Sequence, residues 1–235
     1  MTIFESTIYR DGGYLRKNPS WHEEDSPWKA AHVARLLARN GLAPRTVAEI
    51  GCGAGEVLNL LSRELGPAVA CTGFDISPQA FELCRTKTRQ HLQFRLSDML
   101  LDDGAYFDVA MAIDVVEHVE DCYGFLRKLK ARAEYKVLHI PLDLSAQTVL
   151  RGKPILHVRS EVGHIHYFTK DLALATLHDS GYEIVDHFYT CTRMELPHLP
   201  WQARLMKLPR RLAYAIHPDL AVRTLGGWSL MVLAR

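Results

Sequence analysis

The sequence predicts an α/β domain in which a mostly parallel sheet is covered by helices on both faces. Apolar segments of strand length alternate with amphipathic segments of helical length from Thr46 onward, as expected of strands joined by helical crossovers. The segment Phe107–Ile113 is apolar on both sides, which is typical of a central strand in a parallel sheet. The 235 residues suffice for one well-buried domain of this class.

The first predicted helix starts at the pair Ser26-Pro27, because serine is a preferred N-cap and proline fits the first helical position. Gly41 should end it. Further helices are expected over residues 56–65, from Ser77-Pro78 to about residue 90, over 121–133, and from a Thr169 cap to residue 181. Strands are expected at 46–50, 69–74, 92–96, 107–113, 136–140, 182–189 and 228–233.

Residues 141–168 and 191–227 interrupt the alternation and are predicted to be long irregular insertions. Such insertions are often functional in a compact domain. In an open α/β sheet, the loops at the carboxyl ends of the strands form the ligand crevice. We therefore divide the chain into an N-terminal lid or cap with the first helix, residues 1–44, and a ligand-binding domain, residues 45–235.

Composition argues against several classes of protein. The net charge of +1 gives no general electrostatic reason to expect nucleic acid or an anionic membrane as a partner. The first residues lack the basic and apolar regions of a signal peptide, and no apolar run is long enough to span a bilayer. The five cysteines are widely spaced without a C-x-x-C pair, which indicates reduced thiols and a cytoplasmic location.

A glycine loop follows the first predicted strand. It reads Glu49-x-Gly51-x-Gly53-x-Gly55, and glycines let the backbone turn sharply and approach a ligand closely. Glycines alone would also fit a tight turn without a ligand. However, the next strand ends at Asp75, 20 residues after Gly55, where an acidic side chain can meet the hydroxyl pair of a ribose. The two features together indicate a nucleoside site.

The spacing of the glycines argues against a dinucleotide. The dinucleotide fingerprint is G-x-G-x-x-G, whereas the sixth position of this loop is Glu56. A negative side chain at the start of a helix repels a pyrophosphate. A nicotinamide-dependent oxidoreductase is therefore disfavoured.

Four further motifs follow in order: Ser97-Asp98-Met99, Phe107-Asp108-Val109, Ile113-Asp114-Val115-Val116-Glu117-His118-Val119 and His164-Ile165-His166-Tyr167-Phe168-Thr169. With the glycine loop, they make residues 45–190 resemble the class I S-adenosylmethionine-dependent methyltransferases, in particular the branch that acts on small molecules. The resemblance implies a Rossmann-like sheet of seven mostly parallel strands with an antiparallel last strand. It also implies S-adenosylmethionine as the methyl donor, S-adenosylhomocysteine as the product, and acceptor-side roles for the two insertions.

The resemblance assigns donor binding to residues that follow the first four strands: Glu49, Gly51, Cys52, Gly53, Asp75, Ile76, Asp98, Met99, Asp114 and His118. Among them, it implies that Asp75 binds the ribose and Asp98 the exocyclic amine of the adenine. It implies that Asp114 faces the methionine moiety.

Histidines are the candidates for acceptor chemistry. Five of them lie on or near predicted strand ends and loops that should face the crevice: His118, His139, His157, His164 and His166. His164 and His166 precede the helix capped by Thr169 and follow the first insertion, so either imidazole is a candidate general base. A structural role is the alternative for each of them. With His157 they would offer three metal ligands, but no carboxylate or cysteine completes that set, so we expect no metal site.

The second insertion is basic. It holds six arginine and lysine residues, including Arg210 and Arg211, against two acidic ones, a net charge of +4. An anionic acceptor, a lipid surface meeting residues 204–216 and a partner protein are the functional interpretations. A surface helix with solvated charges is the structural one.

The reaction expected from these features is methyl transfer to an oxygen or nitrogen atom of a small-molecule acceptor. A nucleic-acid methyltransferase is disfavoured because the net charge of the chain is close to zero and the N-P-P-Y tetrapeptide is absent. A module that binds S-adenosylmethionine without catalysis stays open as an alternative, and so does the oligomeric state.

Overall fold

The computed structural model describes residues 13–18, 20–21, 23–101, 104–195 and 207–235. Within this part of the chain, seven strands form one sheet in the order β3-β2-β1-β4-β5-β7-β6. The strands are β1 (Thr46–Ile50), β2 (Ala70–Asp75), β3 (Leu92–Leu96), β4 (Phe107–Ile113), β5 (Ala133–Pro141), β6 (Ile184–Thr190) and β7 (Ser229–Ala234). β7 runs antiparallel to β5 and β6, and the other pairs are parallel, so the predicted fold class is confirmed.

Helices cover both faces of this sheet. In the described residues they are α1 (Gly13–Lys17), α2 (Ser26–Arg39), α3 (Glu56–Leu65), α4 (Pro78–Cys84), α5 (Cys122–Lys130), α6 (Ala146–Arg151), α7 (Lys153–Glu161), α8 (Lys170–Asp179), α9 (Thr192–Glu195), α10 (Lys207–Ile216) and α11 (Pro218–Leu225). One apolar cluster joins α2 and α3 to the sheet, and a second joins α5, α8 and α11 to its other face. None of the described helices is long and apolar enough to cross a membrane.

The central strands are apolar because both of their faces are covered. In β4, the residues from Val109 to Ala112 are at most 1% exposed, and β1 and β5 flank this strand on either side. Burying such side chains contributes roughly 25 cal/mol for each Å² of apolar surface removed from water. The sheet therefore holds the carboxyl ends of β1 and β4 next to each other at its centre.

Two predicted helix boundaries were wrong. Asp25, not Ser26, occupies the N-cap position of α2, and its side chain makes no capping bond. The helix that starts after Ser77 ends at Cys84 and not near residue 90. The guanidinium of Arg89 binds Asn59 Oδ1 at 2.7 Å on α3, which directs the chain away from the helical path.

The first insertion is helical, contrary to the prediction that it is irregular. Ser145 and Thr148 form a capping box at the start of α6, in which each side chain bonds the other residue's backbone. Gly152, with φ +64°, then separates α6 from α7. The described part of the second insertion also forms helices, namely α9, α10 and α11.

Gly55 lets the glycine loop enter α3. Its φ of +76° lies in the left-handed region that favours glycine. A Cβ atom at this position would lie 2.6 Å from Cys84 Cβ and from Phe94 Cε1, which are buried in the core. The loop can therefore pack this closely only with a glycine here.

We predict that Gly55→Ala lowers the free energy of unfolding by about 2–5 kcal/mol, because overpacking adds to left-handed strain. Gly41→Ala is a matched control: Gly41 also has a positive φ, +65°, but a Cβ there would meet no described atom within 4 Å. Its cost should be about 1–2 kcal/mol, from strain alone. Urea denaturation of both variants measures the difference, and equal losses would contradict the packing argument.

Candidate functional site

A cavity of about 310 Å³ lies at the carboxyl ends of β1 and β4. The glycine loop forms one wall, the turn after β4 forms another, and the residues around the start of α2 cover it. Ligand cavities in open α/β sheets lie at this edge. Its lining includes six of the ten residues predicted to bind the donor: Glu49, Gly51, Cys52, Gly53, Asp114 and His118.

Asp75 holds the glycine loop in shape. Its Oδ2 accepts a hydrogen bond from the Gly53 N–H at 2.8 Å, and its Oδ1 accepts one from the Ser77 N–H at 2.8 Å. Asp75 is 8% exposed, and it is not part of the cavity lining. The structure therefore gives Asp75 a scaffolding role, and its contact with a ribose stays a prediction.

The N-terminal segment covers the glycine loop. The indole of Trp21 lies so close to Gly53 that a Cβ there would meet Trp21 Cδ1 at 2.6 Å. Asp25, Ser26 and Lys29 also line the cavity. The lid or cap predicted for residues 1–44 stays a prediction, and residues 1–12, 19 and 22 of it lie outside the described part of the chain.

Asp114 is the centre of a buried ion-pair network. Its φ of +54° turns the chain at the end of β4, and its carboxylate binds Lys29 Nζ at 2.8 Å and His139 Nδ1 at 2.5 Å. His139 Nε2 in turn lies 2.8 Å from the Thr190 hydroxyl. Burial raises the pKa of Asp114, but the charges of His139 and Lys29 outweigh it and hold the pKa below its usual range. Asp114 is therefore ionised and already paired.

Glu49 is also buried, beside the glycine loop, but its protonation state differs from that of Asp114. Burial raises its pKa to about 8, and the Lys29 ammonium opposes this shift only in part. Glu49 is 2% exposed, and its Oε2 has no hydrogen-bond partner in the described residues. With this raised pKa the carboxyl group is mostly protonated near pH 7, and a positive charge bound beside it would favour the ionised form.

Glu117 and two histidines form the opposite wall. Glu117 is fully buried, and its Oε1 lies 3.9 Å from His118 Nε2 and 4.0 Å from His164 Nε2. Burial and the neighbouring Asp114 raise the pKa of Glu117. Burial also lowers the pKa of His118 to about 4, with His164 contributing, so His118 is neutral.

The loop that carries His164 is fixed to the turn after β4. The N–H groups of Ile165 and His166 donate to the Glu117 carbonyl at 2.9 and 3.1 Å. His166 Nε2 lies 2.8 Å from the Val119 carbonyl oxygen, so it donates to that oxygen and does not face the cavity. His164 Nδ1 lies 2.6 Å from Asp143 Oδ2. Of the two predicted histidines, the structure brings only His164 to the cavity.

Two further cavities lie beside the first and share lining residues with it or with each other. One of about 250 Å³ shares Pro141 and Ser229 with it, and another of about 400 Å³ shares His157 with the second. They run along α6 and α7 toward Arg151 and Lys153. The shared lining residues place the three cavities next to one another, on the side of the first insertion.

The basic residues of the second insertion lie elsewhere. Of those with described side chains, neither Lys207, Arg210, Arg211 nor Arg223 lines any of these three cavities. Arg210 is 3% exposed, and Arg223 binds Asp171 at 2.5 Å. Arg204 and the side chain of Arg193 lie outside the described part of the chain.

Comparison with known proteins agrees with this geometry. The profile of a family described as a methyltransferase domain matches residues 21–187, which is more than half of the chain. The chain belongs to this methyltransferase family. The family uses S-adenosylmethionine as its methyl donor, as the sequence motifs implied.

One curated relative is the ubiquinone biosynthesis O-methyltransferase of Methylocella silvestris. It is 31% identical over 140 residues, which cover 48% of this chain and 54% of the relative. The chain spans about half the length of the curated relatives it matches.

Two solved structures show the same fold. Magnesium protoporphyrin IX methyltransferase from Synechocystis PCC 6803, with bound S-adenosylhomocysteine, has a TM-score of 0.60 at 17% identity, covering 93% of this chain and 85% of its own. The N-methyltransferase NodS from Bradyrhizobium japonicum, also with S-adenosylhomocysteine, has a TM-score of 0.55 at 15% identity, covering 89% of this chain and 86% of its own.

Four predicted donor residues of this methyltransferase domain are not part of the cavity lining: Asp75, Ile76, Asp98 and Met99. Met99 is fully buried in the core, and Asp98 Oδ1 accepts a hydrogen bond from the Leu100 N–H at 2.9 Å. Their roles toward the donor therefore stay predictions.

Sequence reasoning assigned no functional role to four residues of the site: Trp21, Lys29, Glu117 and Asp143. His139, one of the histidines expected to face the crevice, does line the cavity. Lys29 lies on a helix far from Asp114 in sequence, so its pairing with Asp114 required the structure.

We predict that Glu49→Gln stabilises the donor-free protein increasingly as the pH rises. A carboxyl group with a raised folded pKa keeps its proton while the unfolded chain loses it, so wild-type stability falls between pH 4.5 and about 8. The contribution of Glu49 is at most about 1.4 kcal/mol per pH unit, and glutamine removes it. Urea denaturation of both proteins from pH 5.5 to 8.5 measures the difference. A difference that is constant across this range would show that Glu49 is ionised in the folded state.

Proposed function

We propose that this chain transfers a methyl group from S-adenosylmethionine to an oxygen or nitrogen atom of a small molecule. The observation that carries the proposal is the buried carboxyl of Glu49 beside the glycine loop, whose Oε2 has no hydrogen-bond partner in the described residues, in a cavity large enough for a ligand. The donor carries a sulfonium and an ammonium group but no phosphate. A cavity of this character favours it over a dinucleotide.

The residues of the glycine loop fit such a donor. A Cβ at Gly51 would meet Val115 Cγ2 at 2.8 Å, so the backbone is held close to the turn after β4 and leaves the cavity open. Glu49 and Asp114 would hold the methionine end, and the glycine loop would hold the nucleoside. When bound, the donor supplies a methyl group by direct substitution, in which the acceptor atom bonds to carbon while the carbon–sulfur electron pair stays on sulfur. The protein's task is to hold the donor and the acceptor in line.

The neighbouring cavities along α6 and α7 support entry of the acceptor from that side. Arg151 and Lys153 line the outer one, so they are the described basic residues that would meet an anionic acceptor there. Arginine and lysine make charge-assisted hydrogen bonds with carboxylates and phosphates. The acceptor would then approach His164 through the inner cavities.

We predict that the purified protein binds S-adenosylmethionine and S-adenosylhomocysteine, and binds NAD more weakly or not at all. Isothermal calorimetry with each ligand measures this. Glu49→Gln should weaken binding of S-adenosylmethionine about 10–150-fold, because a charge-assisted hydrogen bond contributes about 1.5–3 kcal/mol. Glu64→Gln, an exposed change of the same charge on α3, is the control and should bind like wild type. Tighter binding of NAD would overturn the proposal.

We predict that His164→Ala lowers turnover roughly 10²–10⁴-fold with an acceptor found by screening for release of S-adenosylhomocysteine. The reason is that His164 lines the cavity while Asp143 fixes its orientation. His166→Ala should change stability more than turnover, since His166 binds the Val119 carbonyl. Donor affinity should be unchanged in both variants. Full turnover of the His164 variant would exclude His164 from acceptor chemistry, and the lack of any acceptor would favour a module that only binds the donor.

A further inference from the structure

We propose that Glu117, His118 and His164 bind a divalent transition-metal ion, and that this ion receives a hydroxyl oxygen of the acceptor. The role toward the acceptor rests on the proposed function. The binding of the ion itself does not, because it follows from the three side chains alone. It replaces the earlier expectation of no metal site, which considered His157, His164 and His166 together.

The spacing of the three side chains fits an ion. One ligand atom from each lies within 4.8 Å of the others, and Glu117 Oε1 is 3.9 and 4.0 Å from the two imidazole Nε2 atoms. An ion with bonds of about 2.1 Å in tetrahedral geometry separates its ligand atoms by roughly 3.4 Å. The two distances to Glu117 therefore need to shorten by only about 0.5 Å, and the distance between the two imidazole nitrogens, which is at most 4.8 Å, by no more than about 1.4 Å.

The Glu117 carboxyl points into this group without a partner. It is fully buried, and neither of its oxygens has a hydrogen-bond partner elsewhere in the described residues. Buried polar groups nearly always have a partner, and a missing one indicates an unseen ligand or ion. A cation between Glu117 and the two histidines would supply it.

Both imidazoles direct Nε2, the nitrogen that would bind the ion, toward Glu117. His118 Nδ1 lies 3.1 Å from the Gly163 carbonyl oxygen, and His164 Nδ1 lies 2.6 Å from Asp143 Oδ2. A neutral imidazole that donates from Nδ1 has its lone pair on Nε2, and both Nε2 atoms face Glu117. Metal-binding histidines are held in this way by a carbonyl or a carboxylate behind the ring.

The backbone brings the ligands together without an ion. The N–H groups of Ile165 and His166 both donate to the Glu117 carbonyl, so the loop carrying His164 is fixed to the turn that carries Glu117 and His118. A site whose ligands are already in place loses little conformational entropy when an ion binds. The arrangement therefore favours binding.

The site suits an acceptor with a hydroxyl group. Three protein ligands leave at least one coordination position open, as in catalytic and not structural metal sites. This position would face the cavity that the glycine loop also lines. A hydroxyl on a divalent ion has a lowered pKa and loses its proton to water, which leaves an oxygen ready to take the methyl group. His164 would then act on the acceptor through the ion.

The test is calorimetry on tag-free, chelator-treated protein, titrated with Zn²⁺ and separately with Mn²⁺, without donor or acceptor. We expect one ion per chain. Glu117→Gln and His164→Ala should each lower the affinity by at least about 100-fold, and Asp143→Asn by about 10–100-fold, because Asp143 orients His164. His178→Ala is the control: this histidine, 84% exposed beside Asp179, should not affect binding.

Lack of saturable one-to-one binding of both ions would overturn the proposal, and so would wild-type affinity in both the Glu117 and His164 variants. Circular dichroism checks the fold of each variant. If the Glu117 variant does not fold, the Asp143 and His164 variants decide. Because donor binding is measured without the ion, the proposed function and the proposed metal site can be contradicted independently of each other. A protein that binds S-adenosylmethionine but no ion overturns only the metal site.

Discussion

The ion pair between Asp114 and Lys29 is the interaction on which the rest of the cavity depends. Asp114 also binds His139 on β5, and His139 contacts Thr190 at the end of β6, so one carboxylate connects α2 with two strands that are distant in sequence. A buried carboxylate that loses its partner costs several kcal/mol. Helix α2 is therefore held over the cavity, and it keeps the residues before it in contact with the glycine loop.

Asp114 has a lysine as its ion-pair partner, whereas no described lysine or arginine forms an ion pair with Glu49 or Glu117. Among the described residues, Lys29 is the one lysine or arginine that lines the cavity, and it binds Asp114. The two glutamates are consequently buried at a cost in stability that a core of apolar residues would avoid. Such costs are concentrated at functional sites, where a ligand supplies the missing partner. In the two proposals made above, a positive charge on the donor would supply that partner for Glu49, and a metal ion would supply it for Glu117.

The sequence predicted what depends on local spacing. The alternation of strands and helices, the glycine loop and Asp75 were all found because their signatures lie within about 30 residues of each other. The proximity of Glu117 to His164 was not predicted, because sheet order and loop contacts bring the two residues together and their spacing in the sequence does not. Helices α6 and α7 were missed because they are short and their caps resemble turns. The helix after Ser77 was predicted too long because Arg89 binds a neighbouring helix, which no local pattern shows.

The two walls of the cavity differ in how they are fixed. The wall with Glu117 and His164 is held by backbone hydrogen bonds that do not depend on any ligand. The covering side is held by side-chain contacts of Lys29 and Trp21. Both glutamates line one cavity of about 310 Å³, so ligands bound at each of them would be close neighbours. In the proposed function, the first wall would hold the acceptor beneath a donor covered by Lys29 and Trp21, which would meet the main requirement of methyl transfer, to bring two reactants together in line.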